Sequence, residues 1–171
     1  DTLEQFKPGT WKSYDINTYY EKETKQYYKP KYAISTDSDE KTICSNIRYF
    51  LTKAVNKRLM SERQIGCLLS GGLDSSLISA IVAREFKFTG KGTLNTFSIG
   101  MKGSTDLKYA QLVADHIGSN HHTIELTEQD FLDAIPEVIY HVESYDTTTI
   151  RASVGNYLVG KYIKENTDIT V

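Results

Sequence analysis

The sequence predicts an α/β fold: a parallel, twisted sheet flanked by helices and preceded by a short β-hairpin. Three observations predict it. Short strand-like segments recur at 65–69, 93–99 and 121–126, the first of them a nearly continuous apolar run. Each is followed by apolar residues at helical spacings of three and four. A Ser-Gly-Gly turn joins the first run to its helix. Strand and helix alternating in this way imply parallel strands with right-handed crossovers and helices on both faces.

Taken in order, residues 1–30 are rich in tyrosine and lysine, with Pro8-Gly9 and Pro30 as breakers. Residues 9–14 and 25–28 carry strand-forming side chains with turn residues between them, which reads as a hairpin with little core of its own. Residues 32–39 read as a linker. The expected division is therefore 1–35 for hairpin and linker, and 36–171 for the α/β part. A helix over 39–60 follows, with Ile43, Ile47, Phe50, Leu51, Ala54, Val55 and Leu59 on one face. Asp37 and Glu40 resemble a capping box at its start.

The run at 65–69 is continuous enough for a strand buried on both faces. Leu77, Ile78, Ile81, Val82 and Phe86 mark the next helix. The strand at 93–99 leads to a helix carrying Leu107, Ala110, Ala114 and Ile117. After the strand at 121–126, Thr127 caps a helix with Phe131, Ile135, Val138 and Val142, in which Pro136 marks a kink or a start. Ile150, Val154, Tyr157, Leu158 and Tyr162 define a further helix, and 168–171 look like the beginning of a strand.

Composition narrows the function classes. The 171 residues are 39% hydrophobic and 25% charged, ordinary for a globular domain with one core. The formal net charge of −2 gives no electrostatic reason for nucleic-acid or anionic-membrane binding. No apolar run reaches the roughly 18 residues of a membrane helix. Cys44 and Cys67 lack metal-type spacing and read as reduced thiols of a cytoplasmic protein.

The informative segment is Ser70-Gly71-Gly72-Leu73-Asp74-Ser75-Ser76. A tight strand-to-helix turn needs residues without Cβ hindrance, which Gly71 and Gly72 supply. A new helix presents unpaired N–H groups and a positive dipole end to the same point. Ser70, Ser75 and Ser76 add hydroxyls, so the loop suits a phosphate or pyrophosphate. Asp74 would repel such a ligand unless a cation lay between them. Magnesium, which prefers carboxylate plus phosphate oxygens, is the natural ion. Asp74 as a simple helix cap is compatible with that role. Five fixed letters in register arise by chance at roughly one position in a million, so the functional reading is preferred. Neither the three-glycine dinucleotide fingerprint nor a Gly-Lys-Ser/Thr phosphate loop is present.

Other polar residues are read as structural. His121 and His122 are adjacent on a strand, point to opposite faces and cannot form a close pair. His116 and His141 read as packing or capping residues, and the twelve tyrosines as surface bias rather than a stacking platform. Asp106 and Lys108 read as cap and surface at a helix start.

The Ser-Gly-Gly-Leu-Asp-Ser segment resembles the signature of ATP pyrophosphatases, which adenylate a substrate and release pyrophosphate. The resemblance extends through Phe97-Ser98-Ile99-Gly100, residues 103–108, His121-His122 and residues 139–153 to the synthetase domain of glutamine-hydrolysing asparagine synthetases. Residues 1–30, with the Phe6-Lys7-Pro8-Gly9 turn, are similar to the tail of that family's amidotransferase domain. The resemblance implies a Rossmann-like sheet of the ATP-pyrophosphatase type. It implies ATP and Mg2+ as cofactors, and aspartate, ATP and ammonia from glutamine as reactants. Aspartate would be activated as β-aspartyl-AMP and then attacked by ammonia. By the same resemblance, Ser70, Gly71, Gly72, Asp74, Ser75 and Ser76 match the pyrophosphate loop, with Asp74 at magnesium. Leu68 and Ile99 match positions whose backbone holds the adenylate. Thr148, Thr149 and Arg151 match a segment near the aspartyl-adenylate, where the planar fork of an arginine suits a carboxylate or phosphate.

The resemblance also implies missing parts. An amidotransferase domain would precede Asp1, and the rest of the synthetase domain, with a Ser-Gly-Glu-Gly-Ser-Asp-Glu loop, would follow Val171. The expectation is half an active site, weak nucleotide binding, no complete synthesis by this piece alone, and exposed sheet and helix faces that favour homo-oligomers. Two rival readings are another adenylating enzyme, such as a β-lactam-forming synthetase, and a non-catalytic nucleotide-binding module.

Overall fold

The computed structural model describes residues 4–30 and 38–169. The chain divides into two compact units, Asp1–Ile43 and Cys44–Val171.

In the first unit β1 (Thr10–Tyr14) pairs antiparallel with β2 (Glu21–Gln26). The expected hairpin is present, but its second strand starts at Glu21 rather than at residue 25. The strand is charged and wholly exposed, so no apolar alternation announced it. Cross-strand pairing of Lys12 with Glu21 at 2.7 Å helps fix the register. The Asp15 carboxylate turns the chain by accepting the N–H groups of Asn17 and Thr18.

Helix α1 spans Glu40–Asn56. Its cap is Asp39, whose carboxylate accepts the Thr42 N–H at 2.7 Å. The capping box proposed on Asp37, and most of the linker, lie outside the described residues. The predicted apolar face is buried only at Val55, with Leu51 and Leu59 half-buried; Ile43, Ile47 and Phe50 are exposed.

The second unit holds a parallel sheet of β3 (Gly66–Leu68), β4 (Asn95–Met101) and β5 (Asn120–Leu126), in the order β3-β4-β5. Helices α2 (Leu73–Thr89) and α3 (Thr105–Ile117) make the two crossovers. They are followed by α4 (Glu128–Asp133), α5 (Ile135–Val142) and α6 (Thr147–Asn166). The helix expected after Thr127 is thus two helices meeting at Ala134, with Pro136 in the first turn of α5. Proline has no N–H for the preceding turn, so one continuous helix cannot form there. Thr127 caps α4 as expected, in a full capping box with Asp130.

Both faces of the sheet are covered, by different means. On one face Val55, Ile81, Val82, Phe86, Leu94 and Ile117 pack from α1, α2 and α3. On the other, Val159 and Ile163 of α6 cover Phe97 of β4 and Ile124 of β5. Phe97 is 0% exposed, whereas Leu68, its register partner on β3, is 40% exposed. The expectation of a first strand buried on both faces therefore fails at Leu68: α6 sits over β4 and β5 and leaves that side of β3 open. The middle strand also runs two residues later than predicted, from Asn95 to Met101. Asp168 and Ile169 are irregular, with Ile169 packed against the α6 core; 170–171 lie outside the described residues. Among the described residues, no helix is long and apolar enough to cross a membrane.

Candidate functional site

The turn after β3 is held by its own serines. The Ser70 N–H donates to Ser75 Oγ at 3.2 Å, and the two hydroxyls lie 2.9 Å apart. Ser75 Oγ donates to the Gly72 carbonyl, and the Gly72 N–H donates to Ser70 Oγ. These bonds fix the loop before any ligand arrives.

The two glycines have different reasons to be glycine. Gly71 has φ +80°, and a Cβ there would lie 2.6 Å from the Ala110 amide nitrogen of α3. Backbone geometry and close packing both exclude a side chain. Gly72 has φ −71° and ψ 163°, which any residue adopts, and a Cβ would meet only Ser70 Oγ at 3.4 Å. The idea that the turn itself needs both glycines is thereby corrected. Nothing in the backbone conformation at 72 requires a glycine.

Beside Gly72 lies a helix end without a cap. Gly72 is the N-cap of α2 and supplies no side-chain bond. The N–H groups of Leu73, Asp74 and Ser75 have no acceptor among the described residues, and the ladder starts with Ser76 N–H to Gly72 O at 3.0 Å. The Ser76 hydroxyl is buried and has no hydrogen-bond partner among the described residues. Native interiors rarely leave such an atom unsatisfied. The exposed Asp74 carboxylate forms no ion pair or hydrogen bond among the described residues. Among those residues no cluster of three or more His, Cys, Asp or Glu could hold a metal. A lone carboxylate in the first turn of a helix fits an ion that takes most of its ligands from phosphates and water, as magnesium does.

A cleft of about 130 Å³ opens beside this loop, at the carboxyl ends of β3 and β4. It brings together three predicted residues, Leu68, Ser70 and Ile99. It also brings in Asp106, which is not the cap of α3: Ser104 is, accepting the Leu107 N–H. Asn156 and Val159 of α6 complete the wall and were missed in the sequence. The available signal was Asn156 itself, a weak helix former three residues before a buried valine on the same helical face.

Thr148, Thr149 and Arg151 lie in the first turns of α6 and do not line this cleft. Eight residues of helix, about 12 Å, separate Thr148 from Asn156. This end of α6 is capped: Asp146 accepts both the amide and the hydroxyl of Thr149, at 2.7 and 2.8 Å. Those bonds hold the Asp146 carboxyl below its ordinary range. The side chains of Thr148 and Arg151 have no partner among the described residues.

His121 and His122 point to opposite faces of the sheet, as read, whereas His116 is exposed in the last turn of α3, whose cap is Gly118. His121 bonds Thr96 at 2.8 Å and Ser98 at 3.0 Å on one face of the sheet. His122 stacks on Phe97 on the other. Burial, reinforced by the neighbouring His122, pushes the His121 pKa down. Burial pushes the Cys67 thiol up, against the opposing Ser79 hydroxyl.

The comparison with known proteins decides the family. The asparagine synthase family model matches residues 46–171. The chain belongs to the asparagine synthase family. It is 52% identical over 134 residues to the glutamine-hydrolysing asparagine synthetase of Gallus gallus, covering 78% of this chain and 24% of that protein. The Homo sapiens enzyme is 50% identical over 131 residues, covering 76% and 23%. The Mus musculus enzyme is 48% identical over 134 residues, covering 78% and 24%. The chain thus spans about a quarter of the length of the curated asparagine synthetases it matches.

Proposed function

We propose that this chain supplies the pyrophosphate loop and one wall of the adenylate site of an ATP-dependent asparagine synthetase. The observation that carries the reading is the uncapped start of α2 beside Gly72. In this reading residues 1–35 are the tail of an amidotransferase domain and 36–171 the first part of the synthetase domain. The protein is cytoplasmic, and the ammonia comes from glutamine hydrolysed in the amidotransferase domain.

The chemistry follows from the donors. The β-carboxylate of aspartate attacks the α-phosphorus of ATP, giving β-aspartyl-AMP and pyrophosphate; ammonia then displaces AMP to give asparagine. The departing pyrophosphate gains negative charge as the bond breaks. The amides of Leu73, Asp74 and Ser75 and the Ser76 hydroxyl are fixed donors for that charge, oriented before the reaction begins. Asp74 would hold magnesium, which when bound supplies positive charge against the phosphates. The backbone at Leu68 and Ile99 holds the adenylate in the cleft. Arg151 and Thr148, unpartnered among the described residues, meet the aspartyl group, with Thr149 held in place by Asp146.

The topology supports this placement. Crossovers on the α2–α3 face carry the chain from β3 toward β5. The cleft lies at the carboxyl ends of β3 and β4, the side on which open parallel sheets bind their ligands.

The test is aspartate-dependent release of pyrophosphate from MgATP by the intact synthetase, with Gly72→Val as the probe. Gly72 sits in an unstrained, open conformation, so the variant should keep its melting temperature. Its turnover should fall about 10²–10³-fold, because the valine side chain would fill the space beside the oriented amides and keep the pyrophosphate from reaching them. A folded variant with full turnover would sink the reading.

A further inference from the structure

We propose that Ser61 is a phosphorylation site for a serine/threonine kinase that reads basic residues, and that Arg63 and Lys91 hold the added phosphate. The site lies before β3, at the end of the sheet away from the Ser-Gly-Gly turn, and the inference does not depend on the function proposed above.

The connection from α1 to β3 contains Lys57-Arg58-Leu59-Met60-Ser61. Two cations thus precede a hydroxyl by four and three residues. A kinase whose substrate groove is acidic selects that charge pattern. The segment is open to such a partner. Residues 60–64 are exposed, and 59–61 form no regular structure. Met60, next to the acceptor, is 86% exposed and free to enter a partner's groove. Arg58 gives one N–H to the Ala54 carbonyl at 3.0 Å, and its remaining N–H groups have no acceptor among the described residues. That one bond also finishes the end of α1, which is the ordinary use of an arginine there. A short charge pattern recurs by chance, so the surroundings of Ser61 decide the matter.

Those surroundings suit a phosphate. Ser61 lines a groove of about 360 Å³ at the amino ends of β3 and β4, together with Arg63, Lys91 and Glu62. Two cations there oppose one carboxylate. The Arg63 amide donates to Ser61 Oγ at 3.1 Å, so the hydroxyl already faces that residue. The Arg63 guanidinium has no partner among the described residues. Lys91, just past the end of α2, reaches across to the connection: its Nζ donates to the Leu59 carbonyl at 3.1 Å.

The step is a phosphoryl transfer. Ser61 Oγ attacks the γ-phosphorus of ATP held by the kinase, the bond to the β-phosphate oxygen breaks, and ADP leaves. The serine proton passes to the kinase's base. The new group carries a charge of about −1.5 to −2 and three strong acceptor oxygens. The guanidinium fork of Arg63 can take two of them, and the Lys91 ammonium can meet the third. The phosphate would then neutralise the groove and tie the connection to the end of α2.

In the experiment, the intact synthetase is incubated with MgATP and the catalytic subunit of cyclic-AMP-dependent protein kinase, which selects basic residues before serine. Mass spectrometry of the peptide spanning 57–65 locates the phosphate. The expected result is phosphate on Ser61 and none on that peptide in Ser61→Ala. In Arg58→Gln, which keeps a donor for the Ala54 carbonyl, the rate should fall about tenfold or more. Amide exchange at 59–64 should slow about tenfold or more on phosphorylation, the effect of one charge-assisted bond. That slowing should vanish in phosphorylated Arg63→Gln. The substituted residues are exposed, and thermal melts confirm that the variants fold. Absence of phosphate on Ser61 overturns the inference, as does an equal rate in Arg58→Gln. Exchange that is unchanged by phosphate, or that slows equally in Arg63→Gln, also overturns it. All of these outcomes leave the reading of the phosphate loop untouched.

Discussion

Two helix starts in this chain carry the residues singled out in the sequence, and they are finished in opposite ways. The start of α2 has a glycine at the cap, three amides without acceptors among the described residues, and a carboxylate with no partner. The start of α6 is closed by Asp146, which takes the Thr149 amide and hydroxyl. Both ends carry the same partial positive charge from the helix dipole. At α6 the Asp146 cap compensates it with hydrogen bonds; at α2 the chain offers only the Asp74 carboxylate of the first turn. In the proposed reading the open end is the one that grips phosphates, and the capped one is the mount for Thr148 and Arg151.

The comparison breaks most sharply if α2 is finished like α6. Gly72→Asp places a capping carboxylate in a backbone conformation that already suits one. Pyrophosphate release should fall by at least about 10²-fold, while the melting temperature stays level or rises. Unchanged turnover would show that the open amides are not the anion site.

Gly71→Ala should act in the reverse sense. A left-handed φ and a collision with the Ala110 amide should cost about 1–3 kcal/mol of stability in a denaturant titration. A loss well under 1 kcal/mol would mean that α3 does not set the loop's shape.

At the closed end, Asp146→Ala should loosen the first turn of α6, read as faster amide exchange at 147–150, with a smaller stability loss than Gly71→Ala. Asp146→Asn keeps the acceptor and should exchange nearly as slowly as the parent. Because the folded carboxyl titrates below its ordinary value of 3.8, its contribution is complete above that value and lost as pH falls through the lowered one. The asparagine variant should lack this acid-side loss.

The smallest effect concerns His121. Burial lowers its folded pKa below the ordinary 6.5, so the unfolded chain binds more protons between the two values. Stability should therefore rise with pH across that window and fall as pH drops through the folded value. Denaturation of His121→Gln at a series of pH values should show a flatter slope there. An unchanged slope would assign it to other groups.

Much of this was legible in the residues themselves. The α/β alternation, the hairpin, the Thr127 cap and the break near Pro136 follow from local rules: side-chain period, capping chemistry and a missing N–H. The Ser-Gly-Gly-Leu-Asp-Ser loop was legible too, because its chemistry sits in one contiguous stretch. Asn156 was not, since its meaning depends on α6 crossing the sheet beside the end of β3. Nor was the exposure of Leu68, because an apolar run states that a strand can be buried without saying how much of it a helix will reach.

By itself the sequence determined the kinds of element and the Ser-Gly-Gly turn from strand to helix, both being properties of neighbours along the chain. Only the tertiary structure decided that Gly71 has no room for a side chain while Gly72 has, because α3 packs against the first, which also has a left-handed φ, and not against the second. It likewise decided that Asn156 and Val159 of α6 wall the cleft at the ends of β3 and β4. Packing joins residues far apart in the chain, and neither composition nor periodicity encodes which distant surfaces meet.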